Sequence, residues 1–159
     1  MRKLLALLLC FLVPTVAFAA AEPTNSYKVT YDGGSILGVK SGQSTNLEIA
    51  PKDISIRDGK GVLLVTIPAV SVTEISYGQD VHRRIGAAIG IGVLTLGLGA
   101  LMALTKSKKH FVGITWADGD KKGGFAMQCD KKEYRGILAA LEGITGKKAV
   151  DSDTMTVKN

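Results

Sequence analysis

From Tyr27 to Tyr77 apolar and polar positions alternate, and turn residues cut the alternation into short pieces. Period two is the signature of strands with one face buried. The pattern predicts strands over Tyr27–Tyr31, Ile36–Lys40, Leu47–Ile49, Ile54–Ile56, Val62–Ile67 and Val70–Tyr77, with a bulge near Thr73 where the phase shifts. Asp32-Gly33-Gly34 reads as a tight hairpin turn between the first two. Pro68 limits the fifth, because proline cannot donate to a ladder. Alternation returns at Phe111–Trp116 and Phe125–Cys129, a hairpin closed by the glycine-rich run from Asp118 to Gly124. The period then changes. Tyr134, Ile137, Leu138, Leu141 and Ile144 form one helical stripe that needs a sheet to cover. Asp130 and Glu133 have the spacing of a reciprocal capping box, and Gly146 is placed to stop the helix. Residues after Val150 are polar and expected to fray.

Between the two β regions, Ile85 to Leu104 is twenty residues without a charge, bordered by Arg83 and Arg84 on one side and Lys106, Lys108 and Lys109 on the other. A helix of that length is about 30 Å long, the thickness of a bilayer's hydrocarbon core, and basic borders can reach head groups. Gly86 and Gly90 form GxxxG, Ala88 and Gly92 repeat the spacing, and Gly99 and Ala103 repeat it again. Such a glycine zipper lets backbones touch where hydrophobicity cannot drive helices together. A single transmembrane helix would leave the strands before Tyr77 and those after Lys109 on opposite sides of a membrane, each half incomplete. A re-entrant or surface-lying hairpin, bending near Thr95–Gly97 and returning to the same side, or a helix leaning into the membrane, is therefore the favoured reading, and a true single span with a split or oligomeric domain is the alternative.

The first residues add a compartment. Arg2 and Lys3 precede an apolar run from Leu4 to Val13, and Ala17-Phe18-Ala19 ends it with small residues, so residues 1–19 are expected to be a signal peptide. Their removal leaves eighteen basic against fourteen acidic residues and Cys129 as the only thiol. The fold must stand without a disulfide. The mild positive charge suits an anionic membrane surface and argues against nucleic acid, as does export.

Little chemistry is visible. His82 and His110 both lie beside the basic borders, where interfacial charge explains them. No nucleophile signature joins either to Cys129 or a serine. Asp118-Gly119-Asp120 opens like a calcium loop, but Lys122 and Cys129 occupy ligand positions. No metal, cofactor or catalytic residue is expected.

The successive strands, the phrase Ile67-Pro68-Ala69-Val70-Ser71-Val72-Thr73-Glu74-Ile75-Ser76-Tyr77-Gly78 and the capped final helix resemble bacterial pleckstrin-homology-like (PH-like) and GRAM-like domains over residues 26–146. The stretch from Ile75 to Trp116 is also similar to exported bacterial proteins with no assigned activity. The resemblance implies an α+β, mainly β fold: a strongly bent antiparallel sheet or small barrel capped by a C-terminal helix, here interrupted by the apolar segment 85–104 and followed by a polar tail, 147–159. Phosphoinositide-binding members carry basic residues in the first hairpin loop, whereas this chain has Asp32-Gly33-Gly34-Ser35. The expected function is an exported, membrane-associated binding or scaffolding module of the cell envelope, on its periplasmic or extracellular side, whose partners are membrane lipid and either further copies of itself or an envelope protein. The alternatives are an oligomeric membrane element packed through Gly86, Gly90, Gly92, Gly99 and Ala103, and an exported envelope enzyme of unrecognised class.

Overall fold

A computed structural model describes residues 24–89 and 109–154. Residues 1–19, expected to be a signal peptide, and most of the apolar stretch lie outside the described residues. Eight strands form one sheet: β1 (Asn25–Gly34), β2 (Ser44–Ile49), β3 (Asp53–Asp58), β4 (Leu63–Pro68), β5 (Val72–Tyr77), β6 (His110–Asp118), β7 (Lys121–Cys129) and β8 (Val150–Asp151). Helix α1 (Val81–Ile89) follows β5, and α2 (Tyr134–Thr145) follows β7. The sheet order is β4-β3-β2-β1-β7-β6-β5-β8, antiparallel throughout except for the β5–β8 pair. Four strands run as a meander, and β1 then pairs on its other side with β7, joining the first half of the chain to the second.

The alternation maps onto one buried face. Val29 and Tyr31, Leu47 and Ile49, Ile54 and Ile56, Ile75, Val112 and Ile114, and Phe125 and Met127 all enter one core. The stripe of α2 closes it, with Ile137 and Leu141 fully buried and Tyr134, Leu138 and Ile144 packed at the rim. Gly146 ends α2 in the left-handed conformation, its N–H donating to the Glu142 carbonyl. The expected bulge is present, since the β5–β6 register shifts between Val72 and Glu74.

Four expectations are corrected. Asp32-Gly33-Gly34 is not a turn: β1 continues through it to meet β7, shifting register between Tyr31 and Gly33. A Cβ on Gly34 would collide with the Gly124 carbonyl oxygen, so this glycine serves the close approach of two backbones. Ile36–Lys40 is consequently loop, and the reversal comes at Gly42, whose N–H donates to the Tyr31 carbonyl at 2.8 Å. At the start of α2, Asp130 does accept the N–H of Lys132 at 2.8 Å, but Glu133 makes no reciprocal cap, and the helix begins only at Tyr134. Beyond Val150 the chain does not fray at once: it adds β8 beside Ser76 and Tyr77, and Ser152 is 4% exposed.

The fourth correction concerns the apolar segment. Its first five residues belong to α1, where Ile85 is 3% exposed and packs with Val81, Phe111 and Ala126. Among the described residues no helix is long and apolar enough to cross a membrane. β5 and β6, the strands on either side of the segment, pair from Val72↔Trp116 to Tyr77↔Val112. Both ends of the intervening nineteen residues, 90–108, are therefore fixed to one module, and two complete helical crossings would need about forty.

Candidate functional site

The sheet's second face carries α1. Phe111 and Ala126 point to this side, with Gly113 directly opposite Ala126 in the ladder and Gly124 two residues before Ala126 on β7, opposite Thr115. A Cβ at Gly113 would lie 2.5 Å from Val81 Cγ1 and 2.9 Å from Ile85 Cδ1, and one at Gly124 would collide with Ile85 Cγ2. The two glycines are thus a seat into which the helix sinks. Polar staples hold it there. Arg84 donates from Nε to Glu74 Oε1 at 2.9 Å and from its terminal nitrogen to Oε2 at 2.8 Å, and this fork raises the guanidinium pKa. His82 Nε2 meets the Asp32 carboxylate, with the imidazole edge-on to Phe111, ring centroids 5.5 Å apart. Ahead of the helix, Asp153 Oδ1 accepts the N–H groups of Gln79 at 2.6 Å and Asp80 at 3.2 Å.

These contacts change the meaning of several residues. Arg84 is turned onto the sheet, so it is a staple and not simply a border charge. His82 is occupied by Asp32, which replaces the interfacial explanation. Arg83 lies in α1, as does the half-buried Gly86. Gly90, Gly92, Gly99, Ala103, Lys106 and Lys108 lie outside the described residues. Lys109 is the first described residue after the stretch, and its carbonyl accepts from Gln79 Nε2 at 2.7 Å.

Lys109 and His110 also line a cleft of about 620 Å³. It opens where β1 parts from β7: their ladder ends at Thr30↔Gln128, while β1 runs back to Asn25 alongside β2 only. Lys28, Thr30 and Ser44 form one wall, Gln128 and Cys129 another, and Asp130, Lys131 and Glu133 the rim before α2. His110 is held flat on Tyr134, with centroids 4.1 Å apart and planes 4° apart, and Arg135 Nε donates to the Tyr134 hydroxyl at 3.0 Å. Among the described residues the ammonium groups of Lys28, Lys109 and Lys131 enter no ion pair.

The ladder sets Cys129 opposite His110, a pairing that invites a nucleophilic reading. Its electrostatics run the other way. Burial, with a smaller contribution from Glu133, pushes the thiol up to about 12, whereas a nucleophilic cysteine needs its thiolate stabilised. Among the described residues no cluster of three metal-ligating side chains occurs. What the cleft offers is positive charge, hydroxyl and amide groups, and one fixed imidazole. Sequence reasoning missed it because its lysines are far apart along the chain.

No family model and no curated protein matches the sequence. Among solved structures the chain is similar to the C-terminal phosphotyrosine interaction domain of APBB2 from mouse, with a TM-score of 0.53 at 12% identity, over 81% of this chain and 90% of that one. At that identity the likeness concerns the fold. The mainly β sheet closed by a C-terminal helix is a PH/PTB-like architecture.

Proposed function

We propose that the chain is an exported, membrane-associated binding or scaffolding module of the cell envelope, a PH-like and GRAM-like domain whose apolar stretch dips into a bilayer and returns to the side it left. The observation that carries this reading is the pairing of β5 with β6 across the stretch, which ties Ile89 and Lys109 to the same body. From Ile89 to Leu104 the sequence has no charge, and Lys106, Lys108 and Lys109 follow it, a pattern that favours lipid with a cationic margin at the head groups. Irregular backbone is costly at membrane depth unless its polar groups are satisfied, so a shallow re-entrant segment suits this length better than two spans. The α1 seat would hold the segment's start at a fixed place on the domain.

The test adds one exposed cysteine at a time, in cells, beside the buried Cys129. Leu37 is 91% exposed, and Gly143 is exposed with open space where a side chain would go. Leu37→Cys and Gly143→Cys are expected to label equally with a membrane-impermeant maleimide from outside the inner membrane, and the purified protein to sediment with vesicles. Labelling from opposite sides would overturn the same-side reading. Detergent-resistant oligomers that vanish on Gly90→Leu would support assembly through the small-residue face instead.

A further inference from the structure

We propose that the cleft between β1, β6, β7 and the start of α2 seats a phosphodiester, the singly charged anion of a phospholipid head group. Lys28, Lys109 and Lys131 line it, with no ion-pair partner among the described residues. An anion seated among these cationic side chains gains charge-assisted hydrogen bonds. The imidazole of His110 is already oriented by its stack on Tyr134, and Thr30, Ser44 and Gln128 add neutral hydrogen-bonding groups.

The charge balance selects the class of anion. Asp130 and Glu133 stand at the rim, so the lining carries three positive charges against two negative ones. Asp130 is partly occupied by the Lys132 N–H, while Glu133 makes no cap and faces the cleft. A net charge near +1 neutralises a phosphodiester, whereas a dianionic phosphomonoester would bring a second charge against the two carboxylates. Position agrees with chemistry, because Lys109 and His110 are the residues on which the chain returns from its apolar stretch. A head group bound there would belong to a lipid beside that stretch. The assignment rests on the membrane reading for the lipid source, but the anion chemistry of the cleft stands apart from it.

The experiment separates the two. The full mature chain is titrated with glycerophosphoglycerol, a soluble phosphodiester, with inorganic phosphate, and with phosphatidylcholine vesicles with and without phosphatidylglycerol. Amide NMR shifts are followed for the soluble ligands and sedimentation for the vesicles. The expected result is that glycerophosphoglycerol moves the resonances of Lys109–His110 and Gln128–Lys131, that inorganic phosphate above its second pKa binds no more tightly, and that phosphatidylglycerol strengthens vesicle binding. Lys28→Gln with Lys131→Gln, two exposed positions, should weaken the diester by about tenfold or more with the spectrum otherwise unchanged. Unchanged diester affinity in that variant, or tighter binding of phosphate, overturns the proposal. Diester binding without vesicle binding upholds the cleft and defeats the membrane reading. Vesicle binding indifferent to both lysines does the reverse.

Discussion

At Gly124 a methyl group would collide with Ile85 Cγ2, and at Gly113 it would meet Val81 and Ile85 together. Neither glycine has a positive φ, so what each supplies is the missing side chain. From sequence, Gly123-Gly124 looks like turn material, and nothing in an alternating strand announces that a helix will press on its far face. The contact yields a prediction. Gly124→Ala should destabilise the fold by about 1–3 kcal/mol through overpacking, read as a lower urea midpoint. Ile85→Ala should cost about 2–4 kcal/mol by leaving a cavity. Because the two changes meet at one contact, the double variant should lose at least about 0.5 kcal/mol less than the sum of the singles. Strict additivity would mean that α1 does not rest on Gly124.

Among the elements, those with a sustained period were legible and those made by long-range contact were not. The strands of the meander and the stripe of α2 announce themselves because half of each element faces one core. Ile36–Lys40 imitated a strand because Ile36 and Val39 do pack against that core, but from a loop. β8 is two residues long, too short for any periodicity, and is held by partners around seventy residues away. Glu142 prepares it. Its carboxylate accepts the Ala149 N–H at 2.7 Å and pairs with Lys148 at 3.2 Å, and these contacts lower its pKa. A depressed carboxylate contributes stability above its unfolded-state value, and that contribution disappears as pH falls through the lowered folded value. Amide exchange at Ala149 and Ser152, corrected for intrinsic rates, should therefore speed up as pH drops below about 4. Glu142→Ala should give the faster exchange already at neutral pH. If exchange in the wild type ignores acid, the Glu142 contacts do not hold this segment.

For the whole molecule, the sequence's topological conflict is removed by the order of the sheet. Each half looked incomplete because each is: β1 needs β7, and α2 covers strands from both sides of the apolar stretch. Hydropathy could mark the twenty uncharged residues but could not show that Ile85 and Ile89 pack with Phe111 and Ala126, since a helix resting on an apolar sheet face and one resting in lipid have the same composition. The cleft was equally hidden, its lysines being placed by the β1–β7 junction and not by any local motif. Folding and membrane contact should consequently be separable. The β5–β6 ladder, the α1 seat and the Asp153 contacts all lie outside residues 90–108. Replacing that segment by a Gly/Ser linker of equal length leaves those contacts in place and keeps the length of the closed loop. The variant should keep its thermal midpoint within about 4 °C, because a stability change of that size is under about 1 kcal/mol for a domain of this length. It should also stop sedimenting with phosphatidylcholine vesicles, retaining only weak, salt-sensitive binding to those that contain phosphatidylglycerol, where the cleft lysines still act. A variant that folds normally and binds neutral vesicles as before would place lipid contact elsewhere on the domain, and one that fails to fold would mean that the segment contributes to the core.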